Sequence, residues 1–497
     1  MLEFFPGDLI DARFNMYILE HGYRFFTGQV HEFWNAPFMY PEKDVVTYSD
    51  NFLGSVPFYI FFRLFGFGAT TSFQLWFLFI TALNFAASYF FLNSVFKNRM
   101  ASALGAMIFT FALSLQSQMG HAQTYCRFPI PLAFYFGFRF TDELNPKFFF
   151  MMLLIWVYQT YCSFYTGLML LVPLSLFVVV MWVIKRKVFF KSFKTKFWFI
   201  QMLSCLAANI LFLLPLVMPY FSRARELGFY DFNFIVRNVP TFVSYFFSWN
   251  GSLFWDLLNS TGLHYPNFWD HQIFAGGLAT LCLLLFSASM GLSFSIAFAK
   301  WKTSVQLNAL FVAFLITFVF YLRVDEKTLY FFINKIPGFG SMRAVQRIIN
   351  VELLMYAVAT SWVFSKLFSS QKPNYNQIFF IAVVVLCIAD NYVKEGYVHQ
   401  HRKDDSEKRV NALAEKMKLV PENEIISYEP DSLTSAPMDY QLDAMLASQI
   451  TNHVCMNGYS ATSPGGFGDY WINPNEKNRN YWLERKGMKN VKVTVVK

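Results

Sequence analysis

Apolar stretches of roughly 17–25 residues, the length that crosses a ~30 Å hydrocarbon core as a helix, recur along this chain between short polar links. Ten are predicted as spans, at about 72–96, 101–118, 128–142, 148–165, 168–184, 197–219, 273–299, 304–322, 348–365 and 376–393. The third is short and carries Pro129 and Pro131 at its start, and the fourth and fifth form one apolar run divided near Gly167. Phe52–Phe65 is apolar over only about 14 residues, which suits an interfacial or re-entrant helix better than a span. Backbone groups in lipid must be satisfied within their own segment, and helices do that. The pattern therefore predicts a mostly α, polytopic membrane protein with three regions: a first loop with interfacial helices (1–71), a transmembrane domain (72–393) and a C-terminal region (394–497).

The C-terminal region is soluble in composition. Ser406–Leu419 reads as an amphipathic helix, and Glu424–Tyr428 and Val491–Val496 read as short strands, with the turn-rich run Asn457–Phe467 between them. About 100 residues suffice for a small α/β unit.

Loop charge sets the orientation. Lys97 and Arg99, Arg139 and Lys147, the six cations from Lys185 to Lys196, Lys300 and Lys302, and Lys366 and Lys372 occupy alternate links, so that side is predicted to be cytoplasmic. The other side then receives the first loop, loops 117–127, 220–272 and 323–347, and the C-terminus. The chain opens on that outer side, which predicts a span preceding Met1 that this sequence lacks, or, as the alternative, a short N-terminus that translocates unaided.

Composition adds exclusions. The net charge of +9 sits mostly in the short basic links, with no basic stripe carrying interleaved aromatics, so nucleic acid is not an expected partner. The six cysteines show no CxxC pair, which argues against a disulfide framework or a zinc site.

Candidate chemistry lies on the outer side. Asp8 and Asp11 are three residues apart; such a pair suits a shared divalent cation or the split roles of base and orienter, and equally a capping turn before a helix Ala12–Tyr23. Asp50-Asn51 reads as a cap pair for the apolar segment that follows. His121 and Arg127, in the short loop between two spans, suit an anionic head group, although Arg127 is equally an interfacial anchor. Arg343 and Arg347, four apart, share a face at the start of the ninth span, where two guanidinium forks at a helix N-terminus suit a phosphate. They run against the positive-inside bias. The aromatic loop 220–272 suits a cover over a lipid-linked substrate or an inert interfacial cap.

The motifs Gly7-Asp8-x-x-Asp11, Tyr40-Pro41, Ser49-Asp50-x-x-Leu53-Gly54, Gly120-His121-x-Gln123, Pro131-Leu132, Pro337-Gly338-Phe339 through Arg343 to Arg347, and Asn457-Gly458-Tyr459-Ser460 occur in this order. Together they resemble the GT-C glycosyltransferase superfamily of bacterial membrane proteins, including YfhO-like and related groups. The resemblance spans nearly the whole chain. It implies a bacterial inner-membrane enzyme that takes a sugar from a polyprenyl-phosphate carrier, with Asp8 or Asp11 as general base and the arginines on the lipid phosphate. Arg13, Asp50, His121, Arg127, Asn457 and Tyr459 complete the candidate binding set. The rival classes are a flippase for a lipid-linked glycan, which predicts ionisable groups at mid-membrane depth, and a scaffold, which predicts no cavity joining the first loop to the Arg343 turn.

Overall fold

The computed structural model describes residues 2–262, 268–292, 304–370, 373–398, 401–433, 435–488 and 491–497. His264, Lys300, Lys302, Lys372 and the end of the seventh apolar stretch lie outside these residues.

Each of the ten apolar stretches contains a helix. Five of these are long and apolar enough to cross a membrane: Ala69–Phe96, Arg99–Gln118 (its last turn 3-10), Phe164–Ile184, Lys196–Leu227 and Val345–Ser370. The others are shorter, such as Pro129–Glu143 with 15 residues and Pro146–Cys162 with 17. The chain is thus mostly helical, with five candidate spans among the described residues. Its length and composition do not establish all ten.

Local chemistry sets several boundaries. Asn98 caps Arg99–Phe111 by accepting from the Ala101 N–H at 3.0 Å, and Asn145 accepts from Lys147 N–H ahead of Pro146, whose missing N–H costs nothing at a helix start. The break in the long apolar run falls at Ser163, not near Gly167. Ser163 is extended (φ −157°, ψ 119°) and its hydroxyl accepts from Thr166 N–H at 3.3 Å, starting the helix Phe164–Ile184. Gly167 serves a close helix crossing: a Cβ there would stand 2.4 Å from Thr160 Oγ1, and its carbonyl accepts from Trp156 Nε1 at 2.8 Å.

Two large cores result. One fills the helical bundle around the helix Ile349–Ser370, most of which is buried. The other joins the two ends of the chain: Tyr17, Ile18, Phe38 and Phe52 pack with Leu442, Met445, Cys455 and Trp482. The C-terminal region is a three-stranded parallel sheet, with Ile425–Tyr428 between Val454–Cys455 and Val493–Val496, flanked by the helices Lys403–Met417 and Pro437–Thr451. Backbone bonds from Met39 to Asn457, Tyr40 to Cys455 and Cys455 to Pro37, at 3.0–3.1 Å, fasten segment 37–40 to it. Residues 1–71 and 394–497, far apart in sequence, share one core.

Candidate functional site

The helix Asp11–Phe26 brings the first loop against the 118–127 loop. Gly7 adopts φ +85°, and a Cβ there would lie 2.6 Å from the Met119 carbonyl. A Cβ on Gly120 would lie 1.9 Å from Asp8 Oδ2. The two glycine motifs are therefore the faces of one close contact. Asn15 Nδ2 pins it further by donating to the Gly120 carbonyl and to Gln123 Oε1, each at 3.1 Å.

Asp8 and Asp11 do different things. Asp8 Oδ1 accepts from the N–H groups of Ile10 (2.8 Å) and Ala12 (3.2 Å), so this carboxylate caps the helix. Burial, then the neighbouring Asp11 charge, raises its pKa. Asp11 instead faces a cavity of about 520 Å³. Its Oδ1 accepts from the Tyr459 hydroxyl at 2.6 Å, and its Oδ2 lies 3.0 Å from His121 Nδ1. The latter is a close contact that does not form a hydrogen bond. Burial pushes the Asp11 pKa up, but His121, Tyr459 and the Arg347 charge outweigh it and hold the carboxyl down at about 2.

The cavity is also lined by the two arginines, Arg343 and Arg347. The Tyr165 hydroxyl accepts from the backbone N–H of Arg343 at 2.7 Å and of Ala344 at 3.4 Å, and its ring lies under the Arg347 guanidinium at 5.4 Å. That one tyrosine shapes the turn and stacks the cation. Arg347 Nε is buried without a hydrogen-bond partner, and Arg343 is exposed. Asp50 also lines the cavity and caps the helix Phe164–Ile184, accepting from Phe164 N–H at 2.6 Å and Ser163 Oγ at 2.8 Å. Its partner is thus the helix after Ser163, not the apolar segment next to it in sequence. Burial raises its pKa against these bonds and the Arg347 charge. Leu168 and Leu171 on one helix and Leu213, Val217 and Phe221 on another give the cavity an apolar wall.

Three candidate residues sit elsewhere. Arg13 is fully buried and paired with Asp443, which also holds Arg409, so it ties the first helix to the C-terminal region. Arg127 is fully buried, its guanidinium over the Phe109 ring at 5.1 Å and without a hydrogen-bond partner; burial pulls its pKa down to about 10. It is neither an interfacial anchor nor a cavity residue. Asn457 accepts from Tyr428 N–H at 2.7 Å and donates to the Tyr428 carbonyl at 3.1 Å, which fixes the start of the 457–467 loop. From that anchor the loop sends Tyr459 to Asp11 and places Ala461 and Thr462 on the cavity.

Sequence reasoning missed Tyr165, hidden in an apolar run, and the role of Arg223. Arg223 lines the cavity but is saturated: Glu42 at 3.0 Å, Tyr48 hydroxyl at 2.7 Å, Thr47 hydroxyl at 3.1 Å, Glu226 at 2.5 Å and the Lys43 carbonyl. It also missed Glu352, buried within a candidate span and accepting from the Tyr245 hydroxyl at 2.9 Å. Asp390, near the end of the tenth apolar stretch, caps the helix Gly277–Leu292 by accepting from the Gly277 and Leu278 N–H groups, both at 3.0 Å.

The donor set does not fit a divalent cation. Asp8 is spent on backbone N–H groups, Asp11 has one histidine beside it, and no group of three His, Cys, Asp or Glu stands together among the described residues. No protein-family model matches this chain, and no curated protein matches it. What the geometry offers is a carboxylate–imidazole pair and a bare guanidinium pair facing one partly apolar cavity.

Proposed function

We propose that this protein is a bacterial inner-membrane glycosyltransferase of GT-C type, with some ten spans and its C-terminal region outside the cytoplasm. It transfers a sugar from a polyprenyl-phosphate carrier to an extracytoplasmic glycan, lipid or protein. The observation that carries this reading is the single cavity that holds Asp11 and His121 together with Arg343 and Arg347 against an apolar wall. Segments that loop charge assigns to one side, residues 11–50, 121–123, 220–230, 337–347 and 461–462, all contribute to it. Guanidinium groups suit a lipid phosphate, and the carboxylate–imidazole pair suits deprotonation or orientation of an acceptor hydroxyl. A carrier-linked donor fits a face where nucleotide sugars are absent. The scaffold reading is disfavoured by this cavity.

The flippase reading keeps one observation in its favour, the buried carboxyl of Glu352 inside a candidate span. The test separates the two. The full chain in nanodiscs is expected to liberate polyprenyl phosphate from a synthetic polyprenyl-phosphohexose. Proteoliposomes that translocate a lipid-linked glycan without cleaving it, and an unchanged envelope glycan in a deletion strain, would sink the transferase reading.

A further inference from the structure

Within the glycosyl-transfer reading, we infer that His121 Nε2 takes the proton from the acceptor hydroxyl, and that Asp11 and Tyr459 are positioning residues that hold the imidazole for that task. Three observations carry this. First, both Asp11 oxygens have a neighbour: Oδ1 receives the Tyr459 hydroxyl at 2.6 Å, and Oδ2 lies 3.0 Å from His121 Nδ1 without a hydrogen bond. Second, the His121 ring lines the cavity with its side chain 23% exposed, and Nδ1 is the buried nitrogen beside Asp11, which leaves Nε2 as the ring nitrogen turned to the cavity. Third, the ring's mount is fixed. The His121 N–H donates to the Gln118 carbonyl at 2.9 Å, the His121 carbonyl receives both the N–H and hydroxyl of Thr124 at 2.9 Å, and Asn15 ties the same loop to the first helix.

A carboxylate held at about 2 is a poor base near neutral pH, whereas imidazole is the ordinary proton acceptor there. The Nδ1 contact is at hydrogen-bond distance without being a hydrogen bond, as catalytic contacts often are before substrate tightens them. The charged or titratable groups around the pair are Asp8 before the helix start, Tyr459 from the C-terminal loop and Arg347 on the cavity lining. In the step itself, the acceptor hydroxyl proton moves to His121 Nε2 as the acceptor oxygen bonds to the anomeric carbon. The bond from that carbon to the phosphate oxygen breaks, and its electron pair leaves on the phosphate, toward Arg343 and Arg347. The imidazolium returns its proton to solvent as product departs.

Two measurements on the full chain in nanodiscs test this. In histidine-selective 15N NMR, with the signal assigned by its loss in His121→Gln, the neutral ring is expected to carry its proton on Nδ1 and to lose that preference in Asp11→Asn. A neutral ring protonated on Nε2 overturns the inference, whether or not any donor is turned over. In the polyprenyl-phosphohexose assay, His121→Ala is expected to lower kcat by ~10²–10⁴-fold, and added imidazole to restore part of it. Asp11→Asn is expected to lower kcat less, with KM held and no response to imidazole. A His121→Gln protein that keeps its turnover while Asp11→Asn loses it hands the base to Asp11 and overturns the inference. A wild-type protein with Nδ1 protonated but no turnover overturns the glycosyl-transfer reading, and the assigned proton transfer with it.

Discussion

Arg223 and Arg347 both line the same cavity, and they differ in what they touch. Arg223 is met by two carboxylates, two hydroxyls and a carbonyl. Arg347 is in no ion pair among the described residues; it stacks on Tyr165 and keeps a buried Nε without a partner. A saturated guanidinium has no donor left for a ligand, so Arg223 belongs to the wall. A bare one, desolvated on an aromatic face, leaves its binding capacity to whatever enters. The two carboxylates of the first loop divide the same way, Asp8 answered by backbone and Asp11 turned to the cavity. In this protein partner saturation separates scaffold from site, where charge and position along the chain do not.

Replacing each arginine breaks or sharpens that contrast most strongly. Arg223→Ala leaves Glu42, whose side chain is 5% exposed, with the Tyr48 hydroxyl and the Lys486 contact but without its buried guanidinium partner, so unfolding in detergent is expected to show a loss of ~3 kcal/mol. Arg347→Ala is expected to change stability by less than ~1 kcal/mol while weakening polyprenyl-phosphate binding by ~10–100-fold, the worth of a charged hydrogen bond. If the two variants lose stability alike, saturation is not the distinguishing property.

Much of this was legible in the sequence. The apolar spacing located all ten helical stretches, because a lipid-facing or bundle helix needs a long apolar run. The strands at 425–428 and 493–496 and the helix at 403–417 followed from local alternation and amphipathicity. Gly7-Asp8 and Gly120-His121 were both noticed, but that each glycine exists to let the other's segment approach is a fact of three-dimensional contact. Arg13 looked like a site residue because its partner Asp443 is 430 positions away. The break at Ser163 was hidden because serine and glycine both interrupt an apolar run, and only the backbone angles show which one caps. Tyr165 carried no signal, since an aromatic in a span is ordinarily core.

Protonation of Asp11 gives a smaller and sharper test. Its folded pKa of about 2 lies below the unfolded 3.8, so its stabilisation is present above 3.8 and is lost as pH falls toward 2. Discounted for partial exposure, the effect is ~1 kcal/mol. Asp11→Asn should therefore unfold more easily at pH 6 and lose that part of the acid limb. An unchanged acid limb would mean that His121 and Tyr459 do not hold the carboxylate.

The smallest expected effect decides what Asp8 is for. Its pKa is raised, so its contribution has the opposite sign, present below the unfolded value and lost as pH rises through the folded one. At neutral pH the charge is then a burden and the cap is the benefit. Asparagine keeps an oxygen for the Ile10 and Ala12 N–H groups and removes the charge. Asp8→Asn should match or exceed the wild type in stability at pH 7, while Asp8→Ala should lose ~1 kcal/mol. Should asparagine cost as much as alanine, the charge is what the fold uses, and Asp8 would stand with Asp11 on the open side of the comparison.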